Sequence, residues 1–127
     1  MNIKLLTVGK TDNNQLNDLI NEYIKRLGFY VNFQFEIIPD IKNAKNLTET
    51  QQKEKEGELI LKKVQPTDIL VLLDEHGKQH TSVEFSAYLQ KRMSAGTKQL
   101  VFVIGGPYGF SEEIYKKSDG KIGRAHV

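Results

Sequence analysis

The chain has 127 residues, 39% of them hydrophobic, with a formal net charge of +2, which suits one globular domain burying roughly two thirds of its unfolded surface and leaves no room for a second. Zero cysteines exclude disulfides, thiolate metal sites and a cysteine nucleophile, and three scattered histidines leave little for zinc. No apolar run is long enough to span a membrane, and the amino terminus reads as a strand rather than a signal peptide, so a cytoplasmic protein with no membrane or metal partner is expected. The mildly basic balance permits an RNA partner without arguing for one.

Ile3, Leu5 and Val8 alternate as a first strand that Gly9 closes. Leu16, Leu19, Ile20, Tyr23, Ile24 and Leu27 then fall on one face of an amphipathic helix stopped by Gly28. Val31, Phe33, Phe35 and Ile37 alternate in a second strand ended by Pro39. Thr48 and Gln51 make a capping box for a helix running to about Val64, whose charged first half, 51–58, reads as a solvent-facing surface in preference to an RNA contact.

The continuous apolar run at 69–73, between Asp68 and Asp74, reads as a fully buried parallel strand, followed by a turn at Gly77. Thr81 and Glu84 suggest another capping box, with Phe85, Leu89 and Met93 on one helical face and Gly96 as the stop. The last strand, 99–104, delivers Gly105, Gly106, Pro107 and Gly109, and a further helix starts at Ser111 with Glu112 and Glu113 in its first turn. This alternation predicts a three-layer α/β/α domain with a mostly parallel sheet.

The glycine loop follows the carboxyl end of a strand, where open α/β sheets place ligands. Its spacing is not the dinucleotide fingerprint, and no Gly-Lys-Ser/Thr follows, so it is not a P-loop either. Two readings remain: a tight turn between strand and helix, or a bare backbone that approaches a flat, uncharged group such as an adenine ring.

Further stretches accompany the loop: Val8-Gly9-Lys10, residues 22–27 (EYIKRL), 53–57 (KEKEG), 73–78 (LDEHGK), 82–87 (SVEFSA) and 102–109 (FVIGGPYG). Together, over about 120 residues, they resemble the bacterial large-subunit ribosomal RNA pseudouridine methyltransferases of the SPOUT class, which methylate N3 of a pseudouridine in 23S rRNA. The resemblance implies an α/β fold with a trefoil knot, a homodimer, S-adenosyl-L-methionine as cofactor, and 23S rRNA in the ribosome as partner. It places cofactor contacts at Leu73 and Gly105. The two lie at the carboxyl ends of strands expected to be neighbours, so one pocket could be lined by both.

Methyl transfer from a sulfonium to an imide nitrogen is an in-line displacement that needs alignment, exclusion of water and help in exposing the nucleophile, but no metal. Asp74, Glu75, His76 and His80 are the candidates for that help; neither histidine matches a functional position of the family, and Asp74 and Glu75, adjacent in a strand, point to opposite faces and cannot work as a carboxylate pair, so the catalytic residue stays unassigned. Beyond Lys121 the pattern departs from the family. Residues 1–121 are therefore expected to form a truncated SPOUT domain with an incomplete knot, and 122–127 a non-family tail matching one reading frame of a sequencing adapter. Weak or absent activity and an exposed apolar patch around Phe85, Leu89 and Met93 are the corresponding expectations. The alternatives are a non-catalytic adenine-nucleotide-binding or assembly module of flavodoxin-like shape, and an inactive fragment.

Overall fold

The apolar runs at 69–73 and 99–104 become neighbouring strands covered on both faces, and the sheet extends outward from them. The computed structural model describes residues 1–9, 25, 31–41, 44–74, 82–106 and 108–123. Its strands are β1 (Asn2–Val8), β2 (Asn32–Ile38), β3 (Ile69–Asp74), β4 (Gln99–Ile104) and β5 (Gly120–Gly123). They pair in parallel in the order β2-β1-β4-β3-β5. The flavodoxin order is 2-1-3-4-5, so the exchange of β3 and β4 sets this sheet apart from that shape.

Three helices flank the sheet among the described residues: α1 (Glu49–Lys62), α2 (Ser82–Ser94) and α3 (Glu112–Lys117). Alternate side chains of the central strands feed two cores. On one face Ile3, Leu5, Val71, Leu73, Leu100, Phe102 and Ile104 pack with Leu89 of α2. On the other, Leu6, Val8, Leu70, Leu72, Val101 and Val103 pack with Ile60 of α1 and Ile114 of α3. The α/β/α layering expected from the element order is therefore present. Helix 16–27, the Gly77 turn and the Thr81 cap lie outside the described residues, apart from helical Lys25.

Helix boundaries follow local chemistry. Thr48 Oγ1 accepts from the Gln51 N–H at 3.1 Å while Gln51 Oε1 accepts from the Thr48 N–H at 3.0 Å, completing the capping box of α1. Thr48→Ala is expected to cost about 1 kcal/mol, measurable as a lower urea midpoint with an unchanged slope. At the end of α2, Gly96 has φ 78°, and the N–H groups of Gly96 and Thr97 donate to Met93 O and Arg92 O. That pair of bonds is a Schellman stop.

Two features differ from expectation. Strand β5 was not foreseen; Asp119 clips it to β3 by accepting from the Leu70 N–H at 2.8 Å and donating its own N–H to Leu70 O at 2.7 Å. Ile122 joins the core at 5% exposure. The apolar patch expected on α2 is present only in part, since Phe85 and Met93 are half-buried. Leu89 is fully buried and Phe85 packs on Phe102 at 5.9 Å between ring centroids, whereas among the described residues the exposed large apolar side chains are Phe35, Ile37 and Tyr108. Phe35 and Ile37 belong to β2, which pairs with β1 alone and so stands at the margin of the sheet.

Candidate functional site

The parallel register brings the carboxyl ends of β1, β4 and β3 side by side. Ile104 lies opposite both Thr7 of β1 and Leu73 of β3, so Leu73 and Gly105, the two residues singled out from the sequence, are neighbours at one end of the sheet. From β1 the chain proceeds outward to β2, and from β4 it proceeds the other way to β5. The border between β1 and β4 is thus a topological switch point, where α/β sheets open a crevice.

Leu73 is 4% exposed and its side chain packs in the same core as Ile104, Phe102 and Ile122. Gly105 is half-buried, and a Cβ there would lie 3.0 Å from Phe110 Cε1 and 3.1 Å from Gly109 O. The absence of a side chain lets the loop fold back on itself. Gly109, at φ 84°, donates its N–H to Gly106 O at 3.2 Å, and Tyr108 stands exposed at the tip.

Beyond the loop, the chain is anchored to β3. The Phe110 ring meets Tyr115 edge to face at 5.9 Å, and the Tyr115 hydroxyl donates to Asp74 Oδ2 at 2.5 Å. Lys121 Nζ lies 5.2 Å from the Tyr115 ring centroid, within cation–π range. Ser111, buried, caps α3 by accepting from the Ile114 N–H at 3.4 Å. Asp74, weighed from the sequence as a catalytic candidate, is therefore tied to Tyr115. Glu75, His76 and His80 lie outside the described residues.

The residue that sequence reasoning missed is Glu56. It sits in the charged stretch expected to face solvent, yet it is 3% exposed, with its carboxyl laid against Gly106. A Cβ at Gly106 would lie 2.5 Å from Glu56 Oε2 and 2.6 Å from Oε1. Gln52 Nε2 donates to Oε2 at 3.2 Å, while Oε1 has no hydrogen-bond partner among the described residues. Burial, reinforced by the nearby charge of Asp40 and only partly opposed by the Gln52 bond, raises the Glu56 pKa above the usual carboxyl range. One signal for its inward aim was present: Glu56 stands one turn before Ile60, the buried apolar residue of α1.

The next residue, Gly57, completes the support. A Cβ there would come within 2.9 Å of Ser111 Oγ and 3.1 Å of Ile114 Cγ1, so α1 touches the glycine segment at Gly106 and again at Ser111. Asp40 similarly lies against Gly9 at the end of β1. A cleft of about 620 Å³ between α1 and α3, lined by Lys53, Glu54, Glu112, Glu113 and Lys116, includes neither Leu73 nor Gly105. Its mixed charges make it a solvated groove. Among the described residues no three His, Cys, Asp or Glu side chains gather as a metal-ion group, and no helix is long and apolar enough to cross a membrane.

Residues 1–124 match the family described as "Predicted SPOUT methyltransferase". The chain belongs to the SPOUT methyltransferase family. It is 67% identical over 122 residues to the protein named ribosomal RNA large subunit methyltransferase H of Flavobacterium psychrophilum. It is also 67% identical to the protein of that name from Flavobacterium johnsoniae, and 61% identical to that from Parabacteroides distasonis. Each alignment covers 96% of this chain and 78% of the relative. The SPOUT assignment thus takes in the whole sheet, including β5, and the glycine loop.

Proposed function

We propose that the chain is an S-adenosyl-L-methionine-dependent methyltransferase acting on N3 of a pseudouridine in 23S rRNA of the large ribosomal subunit, working as a homodimer. The observation that carries this reading is 67% identity over 96% of the chain to a ribosomal RNA large subunit methyltransferase H. The site is compatible with the cofactor. The carboxyl ends of β3 and β4 bring Leu73 and Gly105 side by side, and the glycines at 105 and 106 carry no side chain to keep a flat ring from the backbone.

In this reading Leu73 and Gly105 hold the adenosine portion of the cofactor through main-chain groups. When bound, S-adenosylmethionine supplies the methyl group as a sulfonium substituent. The contribution of the chain is alignment: β3 and β4 fix the two contact points in register, and the Tyr115–Asp74 bond holds the segment beyond the loop against β3. The buried apolar strand ends beneath the site help to exclude water.

Titration calorimetry tests the reading. S-adenosylhomocysteine is expected to bind at least tenfold more tightly than adenosine, a difference of about 1.4 kcal/mol. Equal binding of the two would favour a general adenine site, and heat from neither would mean that the described residues do not make the pocket.

A further inference from the structure

We infer that Glu56 is a positioning residue for the cofactor loop: its buried carboxyl, laid on Gly106, fixes the glycine segment in the form that receives the ligand. The inference rests on the methyltransferase reading above for the identity of that ligand. Its basis is the contact itself. Glu56 is 3% exposed, both its carboxyl oxygens lie within 2.6 Å of where a Gly106 Cβ would be, and Oε1 has no hydrogen-bond partner among the described residues. A long acidic side chain buried in that way is costly unless it is neutral or paired. Among the described residues its partners are Gln52 on its own helix and the charge of Asp40 on the chain leaving β2, and neither is a cation.

The geometry explains why position 106 has no side chain. An alanine methyl would displace the carboxyl, whereas glycine lets it rest on the backbone. Gly57, the following residue, meets Ser111 and Ile114. One turn of α1 therefore supports the loop at its start and at its exit, and among the described residues that make these contacts Glu56 is the ionisable one. Loss of its proton places a negative charge where Gln52 offers one donor and Asp40 adds repulsion, and the loop must shift or admit water to solvate it.

The sign of the pH effect follows. The folded-state pKa of Glu56 is raised, so its favourable contribution is fully present below the unfolded-state value near 4.5. That contribution is lost as pH rises through the folded-state pKa. Affinity for S-adenosylhomocysteine should fall over the same interval. Asp40 is the other titratable group facing Glu56, and Asp40→Asn should move the midpoint to lower pH.

The experiment measures S-adenosylhomocysteine affinity by calorimetry from pH 5 to 8 for the parent chain, Glu56→Gln and Glu56→Ala, with Gly106 and Gly109 amide shifts recorded by NMR on the ligand-free chains. The expected result is a pH-dependent affinity in the parent and a pH-independent one in Glu56→Gln. Glu56→Ala should bind about tenfold more weakly throughout, while still melting cooperatively. A parent and Glu56→Gln with the same pH profile would overturn the inference, as would full affinity in a folded Glu56→Ala. If the parent binds no ligand, the methyltransferase reading fails separately and the amide shifts decide. Titration of Gly106 in the parent and not in Glu56→Gln supports the clamp, and flat shifts in both refute it.

Discussion

Gly106→Ala is expected to lower the melting temperature by roughly 5–15 °C and to abolish measurable S-adenosylhomocysteine binding at concentrations that saturate the parent. The added methyl would sit 2.5–2.6 Å from both oxygens of the Glu56 carboxyl. Relief would have to come from the Glu56 carboxyl, which is buried in α1, or from Gly106, two residues beyond the central strand β4. The double variant Gly106→Ala, Glu56→Ala removes the collision and should recover part of the lost stability, giving a coupling energy of about 1–2 kcal/mol. Strict additivity in thermal melts would show that the two positions are not in contact. At Gly109 the outcome has a different cause: nothing stands near its Cβ position, and only the φ of 84° opposes a side chain there.

Phe102→Ala should be the most damaging single core truncation, costing about 3–5 kcal/mol. Phe102 is fully buried in β4 between β1 and β3 and stacks obliquely on Phe85 of α2. A domain of this kind has only about 5–15 kcal/mol in total, so the variant should populate unfolded chain at 37 °C. Urea unfolding followed by circular dichroism reads this directly. A loss under about 1.5 kcal/mol would mean that the core around Phe102 collapses to fill the space.

Some of this architecture was legible in the sequence because the responsible physics is local. The run from Ile69 and the run from Leu100 announce strands with no solvent face, and the structure covers both faces of each. Thr48 with Gln51, and Gly96, mark helix ends through bonds made within a few residues. The adjacency of Leu73 and Gly105 followed from expecting parallel neighbours, and β3 and β4 are paired in that way.

What escaped was nonlocal. Gly120–Gly123 contains one apolar residue, Ile122, and becomes a strand because Asp119 docks it on Leu70 and β3 supplies a partner. The placement of β4 between β1 and β3 has no signature in periodicity. Phe35 and Ile37 alternate as buried residues would, but a strand with one neighbour does not bury its whole face. Glu56 was hidden by its charged neighbours, since composition averages over a helix and burial is decided residue by residue.

The position of β1 also has a consequence for how the chain reaches its native state. This amino-terminal strand is held between β2 and β4, with Asn2 opposite both Asn32 and Gln99. The second edge of β1 can be satisfied only once β4, far downstream in the sequence, has been made. The central pairing thus carries a large loop-closure entropy before any contact rewards it. Completion of this sheet accordingly depends on a distant pairing, and the growing polypeptide relies on downstream sequence to sequester the second edge of β1.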